Sequence, residues 1–365
     1  MLFIFSVLAV YSSTGTLAYK YQSGNTEYYL LKHFITLLFG LGLMYVAHLI
    51  KYTYYSRLSQ IFLWIAIPLL VLTLITGTSI HEANRWLTLP IVGTSFQTSD
   101  FAKLALIMYV ARLLSKKQNR IKEFKHTFLP IIVPVIIVCA LILPANFSTA
   151  AVLFLTCLFL MFMGRIKVKY LLGLIGVNLV LLSIFVVIML YSPNQWRVHT
   201  WKNRVENFIS GDKEGNYQVE QAKIAIAKGG VFGNGPGNST QRNFLPHPYS
   251  DFIYAIIIEE YGMAGGMFIM LLYLILLFRS IRIVVKSPGT FAGLLATGCC
   301  FSLIFQAMIN IAVAVNLIPV TGQSLPLVSM GGTSILFTSI AIGIILSVSR
   351  SIEVDKNVSN LISHV

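Results

Sequence analysis

Charged residues are scarce in this chain, which has 11% Asp, Glu, Lys and Arg among its 365 residues. A soluble globular protein carries about 25% charged residues, so a water-facing surface cannot be built from this composition. Hydrophobic residues make up 56% of the sequence, and the mean hydropathy is +0.77. The composition excludes a typical soluble enzyme and predicts an integral membrane protein.

The sequence also lacks a cysteine framework and a metal-ligand pattern. Its four cysteines, Cys139, Cys157, Cys299 and Cys300, all lie inside apolar runs. Such cysteines are typical of small buried hydrophobic residues. The seven histidines are scattered singly. We expect no required cofactor, and the sequence leaves a role for a divalent cation open.

Ten apolar runs approach the roughly 20 residues that a helix needs to span a bilayer. The sequence therefore predicts an all-α, polytopic membrane protein, folded as a single transmembrane domain over 1–365. The first run is short for a span, so we expect the first helix to be incomplete at its start. The runs lie at about 1–18, 30–50, 58–77, 101–115, 127–144, 147–164, 169–191, 251–278, 290–317 and 332–349.

Basic residues explain the formal net charge of +14 without nucleic acid as a partner, because they cluster in alternate short loops. The positive-inside rule then places the N- and C-termini in the cytoplasm. The long polar segment 192–250, between the seventh and eighth helices, falls on the extracytoplasmic side. Its aromatic and basic residues are typical of a loop that touches lipid headgroups, and Val219 to Lys228 is expected to form an amphipathic stretch.

A glycine run occupies positions 229–237 of this loop. No Lys follows at Walker A spacing and no strand precedes it, so a nucleotide-binding loop is disfavoured. A tight turn that needs positive φ is the preferred interpretation. Its backbone amides could still hold an anion.

Asp251 opens the eighth apolar run and has two interpretations of equal weight. It could start the helix, with Ser250 as the cap and its own carboxylate at the positive end of the dipole. It could also be a catalytic carboxylate at the outer mouth of the bundle. Glu259 and Glu260 lie further along the same helix, where carboxylates are costly unless paired, protonated or hydrated. We expect structural pairing for them.

Asp100 and Lys103 have the i, i+3 spacing that puts two side chains on one helix face. Together with Arg85, they could hold a lipid pyrophosphate. An interfacial salt bridge is the equally weighted alternative. The polar segment from Gln323 to Ser334 joins the last two helices, and a stretch of this kind at membrane depth must be buried or line a cavity; a re-entrant turn is expected.

Taken together, these segments resemble the FtsW/RodA family, the SEDS proteins, over nearly the whole chain. The loop from Arg204 to Ser239 looks most like the cell-division branch, FtsW. The matching motifs are Tyr11-Ser12-Ser13, Asn84-Arg85-Trp86-Leu87, Gln97-Thr98-Ser99-Asp100-Phe101-Ala102-Lys103, Gly235-Pro236-Gly237-Asn238-Ser239, Leu245-Pro246 with Asp251-Phe252, Glu259-Glu260-Tyr261-Gly262, and Leu325-Pro326 with Gly331-Gly332.

The resemblance implies an inverting peptidoglycan glycosyltransferase that polymerises lipid II into β-1,4-linked glycan at the outer face of the bacterial cytoplasmic membrane, at the division septum. It implies a class B penicillin-binding protein and other divisome proteins as partners, and Asp251 as the general base. The residues expected to bind substrate or support the site are Arg85, Asp100, Lys103, Arg204, Asn238, Ser239, Arg242, Glu259, Gln323 and Ser329.

Two other functions remain open on the sequence: a lipid II flippase or transporter, and a non-catalytic division scaffold. The absence of a visible internal repeat weighs against transport. The chain also departs from the family pattern at three positions. Asp100 stands where Glu is usual, and His247 and Asn146 stand where the family usually has acidic residues.

Overall fold

The computed structural model describes residues 1–21, 25–80, 83–88, 95–191 and 217–363. Helices dominate this part of the chain, as the apolar runs predict. They are α1 (Leu2–Ser13), α2 (Gly15–Tyr21), α3 (Thr26–Leu49), α4 (Tyr52–Thr76), α5 (Thr98–Lys116), α6 (Leu129–Ile142), α7 (Phe147–Met163), α8 (Val168–Tyr191), α9 (Tyr217–Gly229), α10 (Ile253–Val285), α11 (Thr290–Ala314) and α12 (Gly332–Ser363).

Each of the ten apolar runs coincides with one of these helices, except that the first is divided between α1 and α2 at Thr14. Within the described residues, six helical segments are both long and apolar enough to cross a membrane. The protein is therefore a multi-pass membrane protein. Ten crossings and cytoplasmic termini remain predictions. The six segments are Thr26–Leu49, Tyr52–Thr76, Phe124–Ile142, Ile253–Val285, Thr290–Ala314 and Gly332–Glu353.

A small antiparallel sheet departs from the purely helical expectation. Its strands are β1 (Thr78–Ile80), β2 (Ala83–Thr88) and β3 (Ser95–Gln97), in the order β1-β2-β3. This stretch lies between two apolar runs and contains Thr, Ile, Trp and Phe, residue types that favour extended backbone. The strands are too short to be predicted from the hydropathy pattern of the sequence.

Two compact units make up the chain. Unit 1 comprises Met1–Ile35, Leu172–Tyr273 and Gln306–Gly331. Unit 2 comprises Thr36–Leu171, Leu274–Phe305 and Gly332–Val365. Each unit is built from segments that are distant in sequence. Asp251 belongs to unit 1, whereas Asp100 and Lys103 belong to unit 2.

In unit 1, α9 confirms the helix expected over Val219 to Lys228. Ala222 and Ala225 of α9 are fully buried in one cluster with Phe252 and Ile256 of the segment that follows Asp251. Small alanine side chains allow this close approach of α9 to α10. The polar loop therefore contributes to the core that also contains Phe252, the residue after Asp251.

The glycine run that follows α9 lies against the backbone of α10. A Cβ atom on Gly229 would come 2.0 Å from the carbonyl oxygen of Ile258, and one on Gly233 would come 2.2 Å from that of Glu260. Gly233, Gly235 and other glycines of the run have positive φ, as predicted for a strained turn. Glycine is needed here for both conformation and close approach.

This contact replaces part of the hydrogen-bond ladder of α10. The amides of Met263 and Ala264 donate to the carbonyls of Gly230 and Val231, at 2.9 and 3.2 Å. In return, the carbonyls of Glu259 and Glu260 accept from the amides of Asn234 and Gly235, both at 3.0 Å. Gly262 makes the exchange possible with φ of 71° and ψ of −176°, which interrupts the helical geometry. The polar loop and α10 therefore share one backbone network.

Replacing Gly262 with Ala should destabilise the protein markedly. Its φ and ψ lie in a region that is essentially restricted to Gly, and the new Cβ would lie 2.2 Å from the Val231 carbonyl oxygen. We expect a cost of about 2 kcal/mol or more, measured as a drop of several degrees in the unfolding midpoint of the purified protein.

Gly42→Ala in α3 is the matched control, because no atom lies within 4 Å of the Cβ that it adds. Its midpoint should equal or exceed that of the wild type. Equal midpoints for Gly262→Ala and Gly42→Ala would contradict the role assigned to the contact between the glycine run and α10.

Candidate functional site

Asp251 lies in a turn two residues before α10 begins at Ile253. Its side chain is half-buried, and the Ser250 hydroxyl donates to its carboxylate at 2.9 Å. Of the two interpretations of this position, the one with Ser250 as the helix cap does not hold, because the helix starts at Ile253 and the Ser250 hydroxyl bonds the neighbouring carboxylate. Phe252, 1% exposed, anchors the next position in the core.

The main chain of Asp251 is fixed by Asn310 of α11. The side-chain amide of Asn310 donates to the carbonyls of Asp251 and Gln323, at 2.9 and 2.7 Å. Asn310 is 1% exposed, and leaving one of these carbonyls unbonded in the interior would be costly. A single buried amide therefore joins the turn that carries Asp251 to the segment after α11.

The residues preceding Asp251 are fixed by the same segment. Ser329 donates to the carbonyl of Ser250 and accepts from the amide of Leu325, both at 2.7 Å. The amide of Met330 donates to the carbonyl of Tyr249 at 2.9 Å. Hydrogen bonds thus fix the backbone of Asp251 and of the two residues before it. The Asp251 carboxylate itself accepts from the neutral hydroxyl of Ser250.

The segment 323–331 is irregular and mostly buried, as expected for polar backbone at membrane depth. Leu327 has a positive φ of 64°. Ser6 donates to the carbonyl of Val328 at 2.9 Å, and the Tyr273 hydroxyl donates to that of Pro326. Side chains from several helices thus satisfy the carbonyls of this segment.

The carboxylate of Glu259 is fully buried and binds the turn that follows the glycine run. It accepts from the hydroxyl of Ser239, from the amide and hydroxyl of Thr240, both at 3.0 Å, and from the amide of Gln241. Carboxylates that accept several N–H and O–H groups form strong, charge-assisted bonds. The expected structural pairing of Glu259 is therefore confirmed, and its described partners are neutral donors.

Glu260 is bound to the N-terminal helix through Ser12, whose hydroxyl donates to the Glu260 carboxylate. The guanidinium of Arg242 donates to the carbonyl and the hydroxyl oxygen of Ser12, at 2.9 and 3.2 Å. Arg242 thus brings positive charge close to a carboxylate that is 1% exposed. The two adjacent glutamates together hold residues 239–242 against α10 and α1.

The remaining predicted residues of the polar loop and its partners differ in what they contact. The Asn238 side chain is exposed and donates to the carbonyl of Asn234 at 3.0 Å, which closes the glycine turn. Gln323 is 7% exposed, and its carbonyl accepts from Asn310. Arg204 lies outside the residues that the structure describes.

In unit 2, Asp100 and Lys103 form the predicted i, i+3 ion pair. The Lys103 ammonium lies 3.4 Å from one carboxylate oxygen of Asp100. Both residues line a cavity of about 20 Å³, room for one water molecule. The other Asp100 oxygen is buried with no hydrogen-bond partner among the described residues. The backbone of Arg85 lies in β2, where the neighbouring Trp86 pairs with Gln97 just before α5.

Sequence reasoning did not identify Asn310, Ser12, Thr240 or Gln241 as parts of the site. A signal existed for Asn310, because Gln306 and Asn310 are polar, four residues apart, within an apolar span. Such residues are expected to face the protein interior. Ser12 stands in a matching motif, but its contact with Glu260 joins residues 248 positions apart.

Replacing Glu259 with Gln should loosen the turn 239–242. An amide offers one acceptor oxygen and adds two donors that face the existing N–H groups. Bonds to a charged group are worth about 1.5–3 kcal/mol, so hydrogen exchange at the amides of Thr240 and Gln241 should accelerate at least tenfold. Hydrogen–deuterium exchange with mass spectrometry measures this.

Glu220→Gln is the control, since Glu220 lies in the same loop but pairs with Lys223 on the surface, at 3.1 Å. It should leave exchange at these amides unchanged. Wild-type protection in Glu259→Gln would show that the carboxylate does not hold the turn.

Comparison with known proteins agrees with the fold and the motifs. Residues 1–353 match the model of the FtsW/RodA/SpoVE family, described as cell cycle proteins. The stage V sporulation protein E of Bacillus subtilis (strain 168) is 33% identical over 96% of this chain and 94% of its own length. A protein of Coxiella burnetii, named "Probable peptidoglycan glycosyltransferase FtsW", is 32% identical over 91% of this chain and 89% of its own.

Solved structures share the fold. A chain of a peptidoglycan synthase complex superposes with a TM-score of 0.74 at 22% identity, covering 96% of this chain and 97% of its own. The rod shape determining protein RodA of Thermus thermophilus superposes with a TM-score of 0.67 at 23% identity, covering 96% and 94%. Since the family model covers nearly the whole sequence, this chain belongs to the FtsW/RodA/SpoVE family of cell cycle proteins.

Proposed function

We propose that this protein is a peptidoglycan glycosyltransferase that polymerises lipid II at the outer face of the bacterial cytoplasmic membrane. The observation that carries the proposal is the placement of Asp251. Its carboxylate is half-buried, while its backbone is fixed by buried side chains. A catalytic group needs a rigid mounting and access to substrate, and the fixed backbone and half-buried carboxylate of Asp251 support this role.

The proposed chemical step is inverting glycosyl transfer. The Asp251 carboxylate accepts the proton of an acceptor sugar hydroxyl, whose oxygen attacks the anomeric carbon of the donor sugar. The bond from that carbon to the pyrophosphate oxygen breaks, and polyprenyl pyrophosphate leaves with the electron pair. Inversion at the carbon gives a β-1,4 linkage. No redox change or cofactor is needed for this balance.

The environment of Asp251 supports a base rather than a structural anion. No basic side chain bonds its carboxylate in the described structure, and its one hydrogen-bond donor is the neutral hydroxyl of Ser250. A Cβ on Gly322 would come 3.5 Å from the carboxylate, at ordinary van der Waals distance, so the carboxylate lies beside a residue that has no side chain. The described contacts therefore leave the carboxylate free of an ion pair that would tie it to a structural role.

Pyrophosphate binding is proposed for the polar groups of the second unit. Lys103 carries the ammonium, and Asp100 restrains it at 3.4 Å. An ammonium or guanidinium stabilises negative charge that develops on a leaving phosphate, so Lys103 and Arg85 are the candidates for this role. The shorter carboxylate of Asp100 keeps the ion pair that the sequence predicts.

We further propose that the protein works at the division septum with a penicillin-binding transpeptidase and other divisome proteins. Its FtsW relatives, and a fold neighbour taken from a peptidoglycan synthase complex, support this assignment. Polymerisation supplies the glycan strands that a transpeptidase would cross-link, so the two activities belong in one assembly.

The Asp251→Asn variant should lose glycan polymerisation from purified lipid II. The amide keeps the size of the side chain but cannot accept the proton, and general base catalysis contributes about 10²–10⁴-fold. We expect the rate, followed by gel separation of labelled glycan with the partner transpeptidase present, to fall at least 10²-fold. The unfolding midpoint and the capture of the partner should stay unchanged.

Glu220→Gln, which removes a surface carboxylate from the same loop, should polymerise at the wild-type rate. Full polymerisation by Asp251→Asn would refute the catalytic role. If the wild-type protein moved lipid II across liposomes without making polymer, the flippase function would replace the one proposed. If the protein neither moved lipid II nor made polymer with its partner present, the scaffold function would replace the one proposed.

A further inference from the structure

A basic crevice lies in unit 2 at the turn between α3 and α4. It has a volume of about 600 Å³, within the range of small-molecule sites. Lys51, Arg57 and Arg350 contribute cations to its lining, and its seven lining residues include no Asp or Glu. Three positive charges around one crevice, with no acidic residue in its described lining, favour an anion.

The crevice stands where three candidate spans end or begin. Thr26–Leu49 ends there, Tyr52–Thr76 begins there, and Gly332–Glu353 ends there. Apolar side chains complete the lining, and two of them, Leu49 and Tyr54, are 47% and 53% exposed. A free anion gains nothing from exposed apolar walls. A molecule with both a phosphate and acyl chains fits both parts of the lining.

The walls of the crevice are held in place by side chains that satisfy the end of α3. Arg350 donates to the carbonyl of Leu49 at 3.0 Å, the Ser347 hydroxyl donates to that of Ile50 at 2.5 Å, and the Tyr55 hydroxyl donates to that of Ala47 at 2.7 Å. The guanidinium of Arg350 has five N–H donors, so it can fix the turn and still bind a phosphate.

The start of α4 adds to the positive potential of the crevice. Lys51 is at its N-cap position and makes no side-chain capping hydrogen bond. The unbonded amides of a helix N-terminus carry partial positive charge. This dipole reinforces the three cations, which remain the main reason to expect an anionic ligand.

We propose that this crevice binds the phosphate headgroup of an anionic glycerophospholipid of the membrane, with its acyl chains along Leu49, Tyr54 and Leu58. Arg350 and Arg57 bind the phosphate oxygens, and Lys51 adds charge at the rim. The ligand is a component of the bilayer and not the substrate of polymerisation, so the site is independent of Asp251. Its function is to anchor the α3–α4 turn to anionic lipid.

Native mass spectrometry of the purified full-length protein tests the proposal. The protein is titrated separately with dioleoylphosphatidylglycerol, dioleoylphosphatidylcholine and inorganic phosphate. We expect phosphatidylglycerol to bind at least tenfold more tightly than phosphatidylcholine, and millimolar phosphate to leave it bound. Removal of one interfacial cation costs about fivefold in affinity, so Arg57→Gln and Arg350→Gln should each weaken binding by that factor.

Arg282→Gln is the matched control, because Arg282 lies in another basic segment of unit 2, over the ring of Phe278, outside the crevice. It should bind phosphatidylglycerol as the wild type does. Arg57→Gln keeps the test decisive if Arg350→Gln unfolds, since Arg57 is exposed. Equal binding of the two lipids, displacement by phosphate, or equal losses in Arg57→Gln and Arg282→Gln would overturn the proposal.

Discussion

The backbone contact between the glycine run and α10 is the constraint on which unit 1 depends. Gly262 gives up its helical geometry so that the carbonyls and amides of α10 can exchange partners with residues 230–235. Two adjacent glutamates then bind the turn that follows, through Ser239 to Gln241 and through Ser12. The glycines and the two glutamates have complementary functions in this contact. The glycines allow the loop backbone to contact α10, and the glutamate side chains bind the turn that follows.

Asp251 lies close in sequence to this contact, but it is not one of the residues bonded in it. It lies two residues before α10 begins, next to Phe252, which packs in one core with the alanines of α9, and Asn310 donates to its backbone carbonyl. Among the described residues, its carboxylate accepts from one donor, the neutral hydroxyl of Ser250. Both oxygens of the buried Glu259 carboxylate and one oxygen of Glu260 accept hydrogen bonds that hold the turn, whereas the carboxylate of Asp251 is half-buried. Although Asp251, Glu259 and Glu260 lie within ten residues, the two glutamates have structural roles, and only Asp251 is proposed as the base.

Local sequence patterns predicted the features that depend on local physics. The apolar runs located the helices, the i, i+3 spacing predicted the pair of Asp100 and Lys103, and the glycine run predicted positive φ. The strands escaped because three to six residues carry too little periodicity. The contacts of Ser12 with Glu260 and of Asn310 with Asp251 escaped because they join residues 248 and 59 positions apart. Tertiary packing decides which buried polar groups contact each other. Local sequence patterns therefore do not predict such contacts.

Asp251 is the proposed base that deprotonates the acceptor sugar. The most direct measurement is a structure of the Asp251→Asn protein with its partner and lipid-linked acceptor and donor bound. We expect the acceptor hydroxyl within about 2.6–3.2 Å of the residue 251 side chain, or joined to it by one water, with the anomeric carbon of the donor on the other side of that hydroxyl. An acceptor hydroxyl beyond such reach, in contact with another carboxylate, would contradict it.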